Sequence, residues 1–311
     1  MVITGGDSNT PVADEFSFSA NEASGYYSWG LIYGNLSVLN FDKVNIDSNN
    51  LQQIGGTVYS AITNISLTNT DKVSICQNEF TAAEAFYHIS ETLTVENFST
   101  IDIIGNTITA ESGSGGALFS KFTASTTNEK ATINIKDNSI TGTYTGGNQM
   151  SLMLSGLSSL TVEGNQVILS EATHTKSRYN YGIVSGNSVI TDIDTVSFTS
   201  NKSIVETNGI NQISYAQGGA VGAQLQIENV NSLSFSGNIA EAMKEGACAQ
   251  GGAIYIDSSN GYIKNCSTLE FLNNQANAFT TAQGGAVYTC ANTFSAGTLK
   301  LINNSVTTIG E

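Results

Sequence analysis

Hydrophobic and polar positions alternate along short stretches of the chain, and these stretches recur from its beginning to its end. Each follows the template apolar-x-apolar-x-x-Asn with a polar residue between the two apolar ones, as in Phe16-Ser17-Phe18. This alternation is typical of a β-strand with one buried face and one solvent-exposed face. Chance would give about three such matches, scattered at random. The template ends on these asparagines: Asn21, Asn49, Asn78, Asn106, Asn138, Asn165, Asn201, Asn238, Asn274 and Asn304.

The spacing of these asparagines is nearly constant. Successive steps are 28, 29, 28, 32, 27, 36, 37, 36 and 30 residues, which lies in the range of solenoid repeats. Connections between parallel strands are right-handed by default. We therefore predict an all-β chain folded as a right-handed parallel β-helix of about ten coils. The repeated asparagines are predicted to form a structural ladder at an inward corner, where each amide bonds to its own coil and to its neighbours.

A second motif, Gly-Gly-Ala-aliphatic, alternates with the first and occurs at 115–118, 218–221, 251–254 and 284–287. Glycine pairs permit positive φ and close backbone approach, as a tight corner between stacked coils requires. The residue after the aliphatic is often aromatic and alternates away from the core. The pattern predicts an outward stripe as a candidate ligand-contact surface: Tyr33, Tyr59, Phe119, Tyr255 and Tyr288. The alternative is that these rings stack on each other or lie under loops. The aromatic is missing at Ser185 and Gly222, which would divide the stripe.

A polar segment at 171–180 interrupts the repeats and is predicted to be a loop. It contains one of the two histidines, two bases and a tyrosine, which make it a candidate binding loop: His174, Lys176, Arg178 and Tyr179. The alternative is a solvated loop whose charges keep the protein soluble. The other histidine, His88, is interpreted as a strand residue and not as a ligand.

Composition and charge exclude several classes of function. The chain has 26 acidic and 11 basic residues and a formal charge of −15, so it would repel a nucleic acid backbone or an anionic membrane. No apolar run reaches the length of a membrane helix. The cysteines are scattered and there are only two histidines, so no metal site is predicted. The sequence contains no phosphate-binding loop motif, so no cofactor is predicted either. Whether two of the residues Cys248, Cys266 and Cys290 form a disulfide is left undecided by the sequence, because all three lie in neighbouring repeats.

Alternating GGA-aliphatic and FxxN motifs resemble the passenger repeats of chlamydial polymorphic membrane proteins, which are autotransporter adhesins. The strict FxxN copies are Phe18-Asn21, Phe198-Asn201, Phe235-Asn238 and Phe271-Asn274. The resemblance implies a β-helical passenger that is exported to the cell surface or outer membrane, or secreted, and that adheres to host cells. In six of the ten asparagine motifs an aliphatic residue replaces the phenylalanine, and the motifs are densest after residue 196.

Three functions remain open for residues 1–311, which we expect to be one β-helical segment excerpted from a longer surface protein. The first is an adhesin that binds a host receptor or glycan through an extended face and that also allows self-association. Membrane attachment would then require segments outside this chain. The second is a carbohydrate-active enzyme, for which Asp102 or the pair Asp192 and Asp194 would supply carboxylates. No catalytic residues are predicted, because no outward-facing strand position carries acidic residues on successive coils. The third is a spacer that projects another domain.

Overall fold

The computed structural model describes residues 1–5, 13–26, 30–113, 115–143, 150–170, 178–206, 213–222, 224–256, 260–289 and 293–310. The regular secondary structure of these ranges is entirely β-strand, so the all-β prediction is confirmed. Within the same ranges there is no apolar helix of membrane-spanning length. The strands are, in chain order, β1 (Val2–Thr4), β2 (Ala13–Ser17), β3 (Glu22–Gly25), β4 (Ile32–Asn45), β5 (Asn50–Gln53), β6 (Val58–Cys76), β7 (Glu79–Ala82), β8 (Phe86–Glu96), β9 (Thr100–Ile104), β10 (Thr107–Ala110), β11 (Gly115–Ser125), β12 (Thr132–Lys136), β13 (Ser139–Gly142), β14 (Ser151–Glu163), β15 (Gln166–Leu169), β16 (Arg178–Tyr181), β17 (Ser188–Thr199), β18 (Lys202–Val205), β19 (Ser214–Gln217), β20 (Val221–Gly222), β21 (Leu225–Ser236), β22 (Ile239–Ala242), β23 (Ala247–Gln250), β24 (Ile254–Ile256), β25 (Tyr262–Leu272), β26 (Gln275–Ala278), β27 (Thr281–Gln283), β28 (Val287–Thr289), β29 (Thr293–Ile302) and β30 (Ser305–Thr308).

Strands from successive repeats lie side by side and pair in parallel. A ten-stranded sheet takes one short strand from each repeat, in the order β3-β5-β7-β10-β13-β15-β18-β22-β26-β30. Each of these strands begins immediately after a repeat asparagine, and its register keeps equivalent residues together, as for Thr107 beside Ser139. Because strand order follows chain order, each repeat adds one layer, which is the arrangement of a solenoid.

A thirteen-stranded sheet contains the longer strands that precede each asparagine. Some of these strands continue through a corner of the coil, whereas others are interrupted there. Strand β6, for example, pairs with β8 through Val58–Thr68 and with β9 through Lys72–Cys76. Strand β14 pairs in the same way with β11 and β12. The six strands β6, β8, β11, β14, β12 and β9 therefore form a closed cycle of pairings. It encloses the two places where a coil has separate strands at the corner, between β8 and β9 and between β11 and β12.

The longer repeats carry additional strands. After Asn165, where the asparagine spacing rises to 36 and 37 residues, the chain forms a four-stranded sheet, β16-β19-β23-β27, and a three-stranded sheet, β20-β24-β28. The four-stranded sheet packs against the ten-stranded one over a small, alanine-rich cluster that includes Leu169, Val205, Ala216 and Ala249. Small residues allow the two sheets to approach closely. The extra residues thus build a lateral layer on the stack.

The main core runs through the inside of the stack and consists mostly of aliphatic side chains from the alternating positions. Phenylalanines of the FxxN motifs stack there from coil to coil. The ring centroids of Phe198 and Phe235 are 4.9 Å apart with an interplanar angle of 2°, and Phe271 continues the stack at 5.1 Å. At the C-terminal face, Leu299 and Leu301 remain exposed.

The repeat asparagines form one continuous column of hydrogen bonds, from Asn21 to Asn304. Asn165 is typical of the buried members. Its Nδ2 donates to Oδ1 of Asn201 at 2.9 Å and to the carbonyl oxygen of Ile135 at 2.8 Å. Its Oδ1 accepts from the backbone N and from Nδ2 of Asn138, at 3.0 and 2.8 Å. Both donors and both acceptor sites of the amide are therefore satisfied, which permits complete burial.

The residue before each ladder asparagine adopts a left-handed conformation, with φ between 52° and 67°. This conformation turns the chain so that the asparagine points inward. It is costly for residues other than glycine, asparagine and aspartate. Six of the ten positions carry one of these three types: Gly105, Asp137, Gly164, Gly237, Asn273 and Asn303. The other four are Ala20, Ser48, Gln77 and Ser200.

The glycine pairs serve the two purposes predicted for them. In the pairs that begin at Gly218, Gly251 and Gly284 the first glycine has positive φ, for example 70° at Gly251. The second lies against the next coil: a Cβ at Gly252 would lie 2.0 Å from the carbonyl oxygen of Gly285 and 2.5 Å from the backbone N of Gln275. No side chain fits there, because both of these neighbours are backbone atoms.

Replacing one ladder asparagine tests its contribution to stability. We expect Asn165→Ala to lower the free energy of unfolding by about 3 kcal/mol or more, because it leaves buried partners on both neighbouring coils unpaired. The control is Asn231→Ala, which removes an exposed bond from Nδ2 to Oδ1 of Asp194 and should cost less than about 0.5 kcal/mol. Urea unfolding followed by circular dichroism measures both variants. Equal effects would contradict the structural importance of the ladder.

Candidate functional site

The predicted aromatic stripe is only partly present. Tyr255 and Tyr288 lie side by side on β24 and β28, with ring centroids 5.4 Å apart and planes inclined by 7°. Tyr59 is exposed and packs against Tyr87 of the next coil, at 5.4 Å between centroids. Aromatic residues are therefore concentrated at two separate places along the stack.

Two members of the stripe do not fit the prediction. Phe119 is fully buried and packs against Phe122 at 6.0 Å, so its predicted outward orientation is wrong. The reason is register: Phe119 pairs with Ser90, which pairs with Ile62, three positions beyond Tyr59. Tyr33 is exposed but follows Ile32, which also pairs with Ile62. It is therefore out of step with Tyr59. The Gly-Gly motif does not mark the same position in every coil.

Five tyrosines lie close together on the lateral sheets, and we call them the tyrosine cluster: Tyr179, Tyr181, Tyr215, Tyr255 and Tyr288. Tyr179 stacks on Tyr215, with centroids 5.2 Å apart and an interplanar angle of 7°. Tyr181 contacts Tyr255 at 6.4 Å. The cluster therefore spans the strands of four successive coils.

The glycine at position 222 explains how the cluster remains continuous where the motif lacks its aromatic residue. A Cβ at Gly222 would lie 2.7 Å from Cδ1 of Tyr181 and 2.7 Å from the carbonyl oxygen of Gln217. Tyr181 thus occupies the space that a side chain at 222 would need. The expectation that Gly222 would divide the stripe is wrong, because a tyrosine from the preceding coil fills this position.

A column of glutamines accompanies the cluster at the ends of β19, β23 and β27. Nε2 of Gln217 donates to Oε1 of Gln250 at 2.8 Å, and Nε2 of Gln250 donates to Oε1 of Gln283 at 3.0 Å. Burial raises the pKa of Tyr215, and Cys248, Tyr179 and Tyr288 add to the effect. The phenol therefore stays protonated at neutral pH. The surface combines uncharged hydroxyl groups, ring edges and amides.

The candidate binding loop is only partly described. His174 and Lys176 lie outside the described residues. Arg178 and Tyr179 begin and continue β16, so they belong to the lateral sheet. Tyr179 thereby joins the tyrosine cluster. The prediction of a loop is wrong for residues 178–180, which form part of a strand that pairs with β19.

The acids considered for an enzyme have structural partners. Asp192 has a φ of 56° and accepts a hydrogen bond from Nδ2 of Asn229 at 2.9 Å. Asp102 accepts one from Nδ2 of Asn134 at 2.8 Å. Each carboxylate thus bonds to an asparagine one coil further on. In the described part of the chain no three His, Cys, Asp or Glu side chains are grouped for metal binding.

The described cysteines are free thiols: Cys76, Cys248 and Cys266. Burial raises the pKa of all three, so they are protonated and weakly nucleophilic at neutral pH. Cys248 and Cys266 are therefore not bonded to each other. Cys290 lies outside the described residues.

Comparison with known proteins finds one family of repeats, whose matches include copies of both sequence motifs. Residues 232–257 and 268–290 match the Chlamydia polymorphic membrane protein repeat. The chain carries repeats of this type. The two matched stretches include Tyr255 and Tyr288 of the tyrosine cluster, together with the ladder residues Asn238 and Asn274. No curated protein and no solved structure is significantly similar to the chain.

His88 makes stability depend on pH. Burial lowers its pKa to about 4, while a hydrogen bond with the backbone of Ala117 acts in the opposite direction. The unfolded chain takes up this proton at about pH 6.5. Between about pH 6.5 and 4 the unfolded state therefore binds more protons, so this contribution to stability is complete above that window and is lost as the pH falls through it.

Lowering the pH from 7 to about 4.5 reduces the free energy of unfolding of both proteins. We expect this loss to be smaller for His88→Gln than for the parent chain, with a difference of about 2 kcal/mol. The titration of carboxylates is common to both proteins and cancels in the difference. Urea unfolding at the two pH values measures it. Parallel pH dependences would show that His88 is not buried in its neutral form.

Proposed function

We propose that this chain is a passenger segment of a surface protein and that it presents the tyrosine cluster to a host-cell receptor or glycan. The observation that carries the proposal is the coincidence of the cluster with the polymorphic membrane protein repeats: Tyr255 and Tyr288 both lie within the matched residues. Repeats of this family are typical of outer-membrane and surface proteins without enzymatic activity. The segment would be held at the membrane by parts of the protein outside this chain.

The proposed architecture is a right-handed β-helix of about ten coils, since connections between parallel strands are right-handed in nearly all proteins. With about 4.8 Å per coil, nine intervals correspond to a rod of roughly 43 Å. A rod of this kind places its outward side chains in fixed columns. A partner would therefore meet a preorganised surface, which reduces the entropy lost on binding.

The chemistry of the cluster supports a recognition role. Tyrosine side chains supply large contact areas at little conformational cost, and their hydroxyl groups bond to polar partners. Tyr179 is about two-fifths exposed, at 39%, although it stacks on Tyr215. Many weak contacts along repeated coils would add up through avidity if several copies were displayed together or associated with each other.

Neither alternative function has comparable support. For an enzyme, outward acids would have to be available to a substrate, but several pair with lysines one coil further on, as Glu270 does with Lys300 at 2.5 Å. For a spacer, no tyrosine cluster would be needed. Loss of this cluster therefore distinguishes an adhesive segment from a spacer.

Substituting the cluster tests the proposal. We expect Tyr179→Ser, Tyr255→Ser and Tyr288→Ser, combined in one variant, to weaken binding of the purified chain to host cells at least about tenfold, as is usual for clustered aromatic anchors. The matched control is Tyr262→Ser, which removes a tyrosine that lies near Lys264 outside the cluster. Flow cytometry with labelled protein measures binding. Unchanged binding by the triple variant, or no binding by the parent chain, would contradict the proposal.

A further inference from the structure

A separate cleft lies at the other aromatic site, on the thirteen-stranded sheet where β6, β8 and β11 adjoin. It encloses about 300 Å³, the lower end of the range for small-molecule sites. It is lined by Tyr59, Ser60, Tyr87, His88, Glu91 and Ser120. None of these residues belongs to the tyrosine cluster, so the two surfaces share no residue and can be altered separately.

Register explains why the cleft forms here. Val58 pairs with Phe86, and Phe86 pairs with Gly115. Tyr59 and Tyr87 are therefore neighbours in one column, and Gly116 takes the third place. A Cβ at Gly116 would lie 1.5 Å from the carbonyl oxygen of Tyr87, so only glycine fits. The position next to Tyr87 in this column therefore carries no side chain.

The aromatic wall of the cleft is open. The Tyr59 side chain is 67% exposed, and its ring plane is inclined by 33° to that of Tyr87 at a centroid distance of 5.4 Å. The rings therefore diverge and do not cover one another face to face. Two inclined aromatic faces suit a small, flat ligand with apolar C–H groups.

The polar part of the cleft adds a compact set of hydrogen-bonding groups. Glu91 is exposed and supplies a carboxylate, which accepts hydrogen bonds from two adjacent hydroxyl groups at once. Ser60 and Ser120 supply hydroxyl groups that both donate and accept. Nδ1 of His88 is buried and has no hydrogen-bond partner among the described residues. Burial keeps this imidazole neutral at pH 7.

Charge restricts the ligand further. The lining contains one carboxylate and no lysine or arginine, and the whole chain has a net charge of −15. An acidic sugar would meet repulsion and no counter-charge. A neutral sugar combines an apolar face with adjacent hydroxyl groups, which matches the aromatic wall and the carboxylate.

We propose that this cleft binds one neutral pyranose ring of a glycan, with the C–H face of the sugar against Tyr59 and Tyr87 and two of its hydroxyl groups on Glu91. Single-ring affinity at so small a site is in the millimolar range, about 1–10 mM. Repetition of the site across many copies of the protein on one surface would raise the effective affinity.

The test uses the full chain and four sugars: methyl β-D-galactopyranoside, methyl α-D-mannopyranoside, N-acetylglucosamine and N-acetylneuraminic acid. Saturation-transfer NMR detects binding, and titration gives the dissociation constant. We expect at least one neutral sugar to bind and the acidic sugar to bind at least about fivefold more weakly. Tyr59→Ser and Glu91→Gln should each weaken the neutral sugar about tenfold. Tyr33→Ser, an exposed tyrosine outside the cleft, should change it less than about twofold.

The proposal is overturned if no neutral sugar binds, if N-acetylneuraminic acid binds equally well, or if Tyr59→Ser and Glu91→Gln leave binding unchanged. Circular dichroism establishes that each variant is folded, and Glu91→Gln preserves side-chain size if the tyrosine variant is unstable. The triple tyrosine-cluster variant should retain sugar binding in full. Loss of cell binding in that variant and loss of sugar binding in Tyr59→Ser therefore report on the two proposals separately.

Discussion

A primary amide is costly to bury unless both of its N–H groups and its oxygen find partners. In this protein the partners of each repeat asparagine between Asn21 and Asn304 come from the coils before and after it. Asn138, for instance, donates to Oδ1 of Asn165 and to the carbonyl oxygen of Ile103, and accepts from Asn106. A shift of one strand against its neighbour by a single residue would break these bonds and expose the aliphatic side chains. The ladder thus determines how each coil is placed on the next.

Fixed register makes the outer surface of the stack regular as well. Side chains at equivalent positions form columns, and the chemistry of each column follows from the residue types that recur there. Asparagine and aspartate form hydrogen-bonded columns at exposed corners, as in Asn229 with Asp192. Glutamines do the same beside the tyrosine cluster. A glycine at a column position leaves an opening, as at Gly116, unless another side chain fills it, as Tyr181 does at Gly222. The same principle therefore produces both the tyrosine cluster and the cleft.

The repeating asparagines were sufficient to predict an all-β chain with parallel stacking, because their period and the alternation around them are visible in the sequence. The position of individual aromatic residues was harder to predict. Phe119 follows a Gly-Gly motif, as Tyr59 does, but the motif at 115–118 lies three positions out of step in the register. A motif aligned by glycine alone does not reveal this offset. The pairing of Tyr87 with Tyr59 could have been predicted from the sequence. Both tyrosines follow an inward apolar residue, and both lie at the same distance before the next ladder asparagine. The filling of the Gly222 position by Tyr181 depends on tertiary contacts that no local pattern encodes.

Hydrogen exchange of the asparagine side chains tests the central claim most directly. Side-chain amide protons of the buried ladder residues Asn78, Asn106, Asn138, Asn165, Asn201 and Asn238 can be compared by NMR with those of exposed Asn231. The account predicts that the ladder protons exchange as slowly as backbone amides of the core strands, because they open only when the stack opens. Exchange as fast as that of Asn231 would show that the amides are in contact with water, and would contradict the ladder as the basis of this fold.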